Sequence, residues 1–146
     1  MPDVSVEQRL RRFLLGVTVA IFIGAIFELV LVDHTEETLQ WLPFVFSGIG
    51  LLAVGEVCFS PRRFTLMALR WVMISIAIGS LYGVYLHFSG NLAFTREINP
   101  SFTFWESIWP AMKGASPLLA PGVYFLAAVL AIAATYKHPS LSVKTP

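Results

Sequence analysis

The sequence predicts an all-α fold, a bundle of four transmembrane helices with a short interfacial helix in the outer loop between spans three and four. The chain of 146 residues is 56% hydrophobic and only 13% charged, which is too apolar for a soluble domain of that size. Its apolar residues form blocks, each close to the roughly twenty helical residues that cross a hydrocarbon core of about 30 Å. We expect a single domain over residues 1–146, with spans at about 13–33, 41–59, 64–88 and 118–136.

Basic residues cluster on one side of the predicted bundle, whereas the opposite connections hold only Arg96 and Lys113. The positive-inside rule then places both termini in the cytoplasm. The apolar run of span one is longer than the roughly 7–15 residues of a signal-peptide core, and no small-residue cleavage site follows it. We therefore expect a retained anchor and a protein that begins near Met1. The clustered residues are Arg9, Arg11, Arg12, Arg62, Arg63, Lys137 and Lys144.

Two spans carry a stripe of small residues at intervals of four, and each stripe ends in a titratable group. The stripe of span one ends in Glu28, and that of span three ends in His87. Small residues in this spacing share one side of a helix and let helices approach closely in a membrane. We expect the two stripes to pack against each other. Their small residues are Gly16, Ala20 and Gly24 in span one and Ser75, Gly79 and Gly83 in span three.

Span two begins near Trp41, with Pro43 in its first turn, and a tight turn at residues 60–63 makes spans two and three an antiparallel pair. Glu56 and Arg70 fall at similar depths on the two sides of this turn. We expect them to form an ion pair that faces the bundle, since either charge alone is costly in lipid. In the alternative, Arg70 reaches the headgroups and Glu56 is solvated.

The sole cysteine, Cys58, excludes an intrachain disulfide, and we expect it to be a small buried residue.

The outer loop, residues 89–117, contains the signature of a short helix. Thr103 followed by Glu106 has the form of a capping box, and Pro110 and Gly114 limit the helix at its far end. We expect this helix to lie in the membrane interface, with a lid over the bundle as the alternative. Span four has no charged residue, and its small stripe at Ala127, Ala131 and Thr135 predicts close packing.

The candidate site lies at the outer face, where Glu28, His34 and His87 are expected to meet. An intramembrane carboxylate is costly, which makes Glu28 the strongest functional candidate. The three residues could bind a divalent metal or haem, although no metal-binding motif such as HExxH is present. They could also begin a proton or ion pathway towards Glu56 and Arg70. In the third interpretation Glu28 and His87 only fix the register of the helices.

Parts of the chain resemble small four-span bacterial membrane proteins of unknown function. The resemblance rests on residues 28–43 (ELVLVDHTEETLQWLP), on residues 114–122 (GASPLLAPG) and on residues 135–139 (TYKHP). It implies a bacterial inner-membrane protein with four spans, and it implies no catalytic activity.

As function we favour a non-catalytic accessory or scaffolding subunit of a membrane complex, without a cofactor. Its partners would be the lipid bilayer and other membrane protein subunits or a second copy of itself. The alternative is a redox or transport protein that binds haem or a divalent metal through Glu28, His34 and His87. The basic residues act as membrane anchors in this interpretation, so no nucleic-acid partner is expected.

Overall fold

The computed structural model describes residues 5–141 and is all-helical over that range. Its α-helices are α1 (Val6–Leu31), α2 (Leu42–Phe59), α3 (Arg63–Ile98), α4 (Phe104–Met112) and α5 (Leu119–Ala134). Short 3-10 segments at Thr38–Trp41 and Pro139–Leu141 precede α2 and follow α5. The predicted start near Met1 and the flanking charge of Lys144 lie outside the described residues.

Three helical segments in residues 5–141 are long and apolar enough to cross a membrane. They are α1 with 26 residues, the segment Thr38–Phe59 with 22 residues, and α3 with 36 residues. The helix α5 is also apolar, but its 16 residues span only about 24 Å. The prediction of an all-α membrane protein with transmembrane helices is confirmed at this level.

The helix α5 packs between α1 and α3 because its inward side carries almost no side-chain bulk. Ala127, Ala128 and Ala131 are fully buried there, and Thr135 continues the buried side. The stripe predicted in span four is therefore confirmed as a packing surface. The helix α2 closes the bundle by packing on α1 and α3, so that the main neighbours of α1 are α2 and α5.

The predicted packing of the stripe in span one on the stripe in span three is wrong. Gly16, Ala20 and Gly24 are all exposed, and a Cβ at either glycine would meet no atom within 4 Å. They lie on the side of α1 that faces away from the bundle. The bundle side is formed instead by Leu15, Thr18, Phe22 and Ala25.

The physical reason is that bulky side chains of one helix enter glycine positions of the next. The ring of Phe22 in α1 fills the space above Gly50 of α2, where an added Cβ would lie 2.6 Å from it. Gly83 of α3 faces Pro121 of α5 in the same way. Van der Waals packing drives helix association in membranes, and a large residue in a glycine notch makes more such contacts than two flat stripes.

The turn between α2 and α3 is held by a side chain of α3. The Thr65 hydroxyl donates to the Ser60 carbonyl at 2.7 Å and accepts from the Arg62 backbone N–H at 3.0 Å. The two helices pack against each other as the antiparallel pair that the sequence predicts. Cys58, which precedes the turn, is exposed, so the prediction that it is buried is wrong.

The helix α3 continues past the predicted end of span three at residue 88, and α4 packs on this extension. The capping box that the sequence predicts is present at the start of α4. Both the backbone N–H and the hydroxyl of Thr103 donate to the Glu106 carboxylate at 2.8 Å. These two bonds, the backbone one first, hold the pKa of Glu106 below its usual value.

The connection from α4 to α5 is tied to α3 by Asn91. This buried side chain donates through Nδ2 to the Ser116 carbonyl at 2.8 Å and accepts from the Ser116 N–H at 3.0 Å. Gly114 lies directly against it, and an added Cβ would overlap the Asn91 side chain. A glycine is therefore needed here for the chain to pass close to α3.

The predicted ion pair between Glu56 and Arg70 is not formed. Arg70 donates instead to Thr135 at the C-terminal end of α5, through Nε to Oγ1 at 2.8 Å and through Nη2 to the carbonyl at 3.1 Å. The carbonyl end of a helix carries a partial negative charge and unsatisfied acceptors, both of which favour a guanidinium. Glu56 is exposed, and in residues 5–141 the only ion pair joins Glu7 to Arg11.

Candidate functional site

A cavity of about 680 Å³ opens at the loop face of the bundle, the face that carries the connections α1–α2 and α3–α5. Helices α1, α2, α3 and α5 all contribute to its lining. Its size falls within the range of small-molecule sites. Glu28, His34 and His87, which the sequence analysis grouped together, all line this loop-face cavity.

Glu28 lies one turn before the end of α1, on an exposed flank of the helix. The helix stops because Asp33 adopts the left-handed conformation, with φ of 49°. The backbone N–H groups of His34 and Asp33 then donate back to the carbonyls of Leu29 and Val30, which satisfies the last carbonyls of α1. This turn carries His34 to the same cavity as Glu28.

His34 is half-buried at the cavity rim. Burial and, second, the charge of His87 lower the pKa of its imidazole below the usual value. A lowered pKa keeps the ring neutral at pH 7, and a neutral imidazole has one nitrogen with a free lone pair. His34 is therefore suited to accept a hydrogen bond or to bind a cation.

His87 is fixed in orientation by a backbone carbonyl of the connection that leads into α5. Its Nδ1 lies 2.9 Å from the Pro117 carbonyl oxygen. A carbonyl can only accept, so Nδ1 carries the proton and donates it. In the neutral ring this leaves Nε2 as the nitrogen with the lone pair, which is the arrangement of a histidine whose second nitrogen serves a ligand.

A buried hydroxyl pair connects the cavity to the interior of the bundle. Tyr124, which lines the cavity, donates its hydroxyl to the Pro43 carbonyl at 3.1 Å. Ser47 lies 2.9 Å from the same hydroxyl and therefore donates to it. Close by, Ser80 donates to the Pro121 carbonyl at 2.6 Å. These bonds hold α2, α3 and α5 around the cavity.

The cavity has a mostly apolar lining that includes carboxylates and aromatic rings. Glu28 and Glu37 supply carboxylates, and no lysine or arginine is among the lining residues. Phe46, Tyr82 and Tyr124 supply aromatic rings. Carboxylates, the neutral imidazole of His34 and ring faces all attract cations, so the cavity favours a positively charged ligand over an anion. In residues 5–141, however, no three acidic, histidine or cysteine side chains are grouped closely enough to hold a metal ion.

Sequence reasoning identified the titratable residues of the cavity but missed the polar residues that support it. Ser47, Asn91 and Tyr124 are single polar residues in apolar or mixed segments, and their bonds join positions far apart in the chain. The only sequence signal was that Ser47 and Tyr124 sit in predicted spans, where a fully apolar residue is expected, whereas Asn91 falls in the predicted outer loop and gives no such signal. A partner separated by 77 positions, as for Ser47 and Tyr124, has no local pattern to reveal it.

No protein-family model matches this chain, and neither does any curated protein or solved structure.

Proposed function

We propose that the chain is a non-catalytic integral membrane protein, an accessory or scaffolding subunit that binds another membrane protein through α1. One observation carries the proposal: Gly16, Ala20 and Gly24 are exposed on the side of α1 opposite to the bundle. We call these three residues the α1 outer face. Phe13 and Phe27 lie seven residues before and after Ala20 on the same side, and both are about two-thirds exposed.

The α1 outer face is a shallow groove between two phenylalanines, and lipid tails make few favourable van der Waals contacts in it. A transmembrane helix that enters such a groove makes close backbone contacts that a surface of large side chains does not allow. The bundle itself uses glycines in this manner, since Gly50 and Gly83 each receive a bulky residue from a neighbouring helix. The two glycines of α1 receive none within the described chain.

The charge of Glu28 favours a different chain over a second copy as the partner. This exposed carboxylate follows Gly24 by one helical turn. In a twofold contact between two copies, identical residues face each other, and two Glu28 carboxylates would repel at the end of the interface. A partner helix with a small residue or an apolar knob along its length and a basic or donor group at the level of Glu28 fits this surface.

We further propose that α1, α2, α3 and α5 cross the inner membrane of a bacterium, as the resemblance to four-span bacterial proteins implies. The basic residues near the start of α1, in the α2–α3 turn and after α5 support cytoplasmic termini, because positive residues favour the cytoplasmic side. The bilayer adapts to the short α5 by local thinning or by taking up the flanking residues. The tryptophans of α4, Trp105 and Trp109, are exposed and suit the outer interface.

Site-specific photo-crosslinking in native membranes tests the proposed contact. A photoreactive residue at Ala20 is expected to form one discrete adduct with a different protein. The same residue at Leu52 of α2, which is 72% exposed, serves as the control for general membrane proximity and is expected to form none. Equal adducts from both positions would refute docking through α1, and an adduct of twice the chain mass would refute a different chain as the partner.

Substitutions at the glycines provide the matched control. The double variant G16L/G24L fills the α1 outer face and is expected to abolish the adduct from Ala20. The double variant G48L/G55L adds the same bulk to α2, where the glycines also have no atom within 4 Å of an added Cβ. It is expected to leave the adduct unchanged. Loss of the adduct in both variants would show a general effect of the added bulk and would contradict the proposal.

A second candidate function is the binding of a divalent metal or haem for redox chemistry or transport. The observation that favours it is that Glu28, His34 and His87 line one cavity, with Nδ1 of His87 bonded to the Pro117 carbonyl so that Nε2 is the nitrogen left for a ligand. Purified protein would then bind Zn²⁺, Cu²⁺ or haem in stoichiometric amount, and H87A would lose the binding. H138A is the control, because His138 does not line this cavity. A protein that binds none of the three probes rules this candidate out.

A further inference from the structure

A second cavity, of about 560 Å³, lies at the opposite end of the bundle, where α1 begins and α2 and α5 end. We call it the terminal groove. Arg11, Arg12 and His138 line it together with Gln8, and the lining contains no carboxylate. The groove therefore has the charge opposite to that of the loop-face cavity.

The floor of the terminal groove is apolar. Its base is formed by Leu15, Val57, Leu66 and Ala134, each less than one-tenth exposed, and the exposed residues Cys58, Pro61 and Pro139 supply its accessible apolar surface. A row of donors above an apolar floor matches a molecule with an anionic head and a hydrocarbon tail. A small soluble anion would use the donors but would leave Cys58, Pro61 and Pro139 in contact with water.

The arginines of the groove have donors to spare. Arg11 uses only Nη2 in the bonds that the structure shows, to Glu7 at 3.3 Å and to the carbonyls of Tyr136 and Lys137 at 3.4 and 3.1 Å. Its Nε and Nη1 have no partner within residues 5–141, and Arg12 makes no side-chain hydrogen bond there. Glu7 offsets part of the charge of Arg11, so Arg12 supplies the larger share of the electrostatic attraction for an anionic ligand.

His138 adds a neutral donor. Its Nδ1 accepts from the Ser140 backbone N–H at 3.2 Å, so the proton of the neutral ring is on Nε2. Burial and the charge of Arg11 lower the pKa of this imidazole, which keeps it neutral at pH 7. The two guanidinium groups therefore carry the positive charge of the groove.

We propose that the terminal groove binds an anionic phospholipid, with the lipid phosphate held by Arg11 and Arg12 and an acyl chain lying along the exposed apolar surface of Cys58 and Pro61. Arginine suits this role because its planar group donates two parallel hydrogen bonds to a phosphate. The bound lipid fills the gap between α1 and the α2–α3 turn. Binding at this site does not depend on a partner at the α1 outer face, because the groove uses the other side of α1.

Cys58 provides a direct test, since this sole cysteine is exposed and lines the groove. The rate of its modification by a small maleimide is measured in neutral detergent as lipid is added. Phosphatidylglycerol is expected to slow the reaction with a saturable dependence on lipid, and phosphatidylcholine is expected to leave the rate unchanged. Protection by both lipids to the same degree would overturn the proposal, because the charge would then have no role.

The variant R12Q is expected to weaken the protection by phosphatidylglycerol at least about tenfold, the order of effect of losing a charge-assisted hydrogen bond. Arg9 is the matched control, because it is exposed on the same helix, does not line the groove and lies one heptad before Gly16 on the outer side. R9Q is expected to change the protection less than about twofold, the effect of a screened surface charge. Equal effects of R12Q and R9Q would mean general attraction to a basic face and would overturn the site.

Glycerol phosphate and inorganic phosphate distinguish a lipid from a soluble anion. Neither has an acyl chain, so both are expected to protect Cys58 at least about a hundredfold more weakly than phosphatidylglycerol, given that each buried CH₂ contributes about 0.8 kcal/mol. Protection by glycerol phosphate at the same concentration as the lipid would overturn the lipid assignment.

Discussion

Arg70 and Thr135 form the contact that joins α3 to the C-terminal end of α5. The guanidinium donates to both the hydroxyl and the carbonyl of Thr135, at 2.8 and 3.1 Å, and the Thr135 hydroxyl donates in turn to the Ile132 carbonyl at 2.7 Å. Arg11 of α1 donates to the next two carbonyls, those of Tyr136 and Lys137. Two arginines from opposite sides of the bundle therefore hold the end of the helix that packs between α1 and α3.

Removing this contact is expected to destabilise the bundle. R70A loses two hydrogen bonds from a charged donor and should lower the free energy of unfolding in detergent by about 1.5–3 kcal/mol. R63A removes an exposed arginine from the first turn of α3 and should change it by less than about 0.5 kcal/mol. E56Q should also be neutral, and a loss as large as that of R70A would instead support an ion pair between Glu56 and Arg70.

The buried hydroxyl pair predicts a measurable coupling between α2 and α5. Y124F removes the hydroxyl that bonds Ser47 and Pro43, and should cost about 0.5–2 kcal/mol of unfolding free energy. Y82F, at a half-exposed tyrosine of α3, is the control and should be close to neutral. In a double-mutant cycle, S47A should cost less in the Y124F background than alone, whereas strict additivity would argue against the bond.

Asp33 predicts a gain of stability on substitution by glycine. Its φ of 49° is unfavourable for a residue with a Cβ, and its carboxylate lies at the negative end of the α1 dipole. D33G should raise the free energy of unfolding by about 1 kcal/mol. D33V should lower it, because a β-branched residue is poorly tolerated in this conformation. A stabilising D33V would be inconsistent with the left-handed turn at the end of α1.

Two glycines of the same region predict opposite responses to alanine. At Gly114 the added Cβ overlaps the Asn91 side chain and disrupts its two bonds to Ser116, so G114A should be destabilising by about 1–3 kcal/mol. Gly90 lies on the exposed side of α3, where an added Cβ has open space. G90A should therefore stabilise α3 by about 0.5–1 kcal/mol. Unfolding in detergent measures both stability changes. A change of the same sign in G114A and G90A would contradict the packing of the α4–α5 connection on α3.

His34 predicts a dependence of stability on pH. Its folded-state pKa is lowered by burial and by His87, so the unfolded chain binds the proton more readily. The contribution of neutral His34 is fully present above the unfolded pKa of about 6.5 and is lost as the pH falls through the folded value. Proton titration by NMR should show the lowered pKa directly. H87N should raise the pKa of His34, and an unchanged value would mean that the two rings do not share the cavity.

The helices and most of their ends could be predicted because the responsible interactions are local, whereas α3 runs ten residues past its predicted end. Thr103 and Glu106 are three positions apart, Pro43 lies in the first turn of α2, and the turn at residues 60–62 leaves room for one antiparallel arrangement only. The convergence of Glu28, His34 and His87 on one cavity could also be predicted from the sequence. Each of these residues lies near the face of the bundle that carries the α1–α2 and α3–α5 connections, so folding brings them together.

The side of each helix that faces the bundle and the partner that each polar group takes depend on contacts between helices that are far apart in the chain. The spacing of Gly16, Ala20 and Gly24 is equally suited to an internal and an external neighbour. The fit of Phe22 to Gly50 turns the opposite side of α1 towards the bundle. Arg70 could bond to Glu56 or to Thr135 by depth alone, and the free carbonyls at the end of α5 were the nearer acceptors. The packing side of α1 and the partner of Arg70 depend on side-chain volumes and hydrogen-bond acceptors of other helices. The residue pattern within one segment carries no information about these.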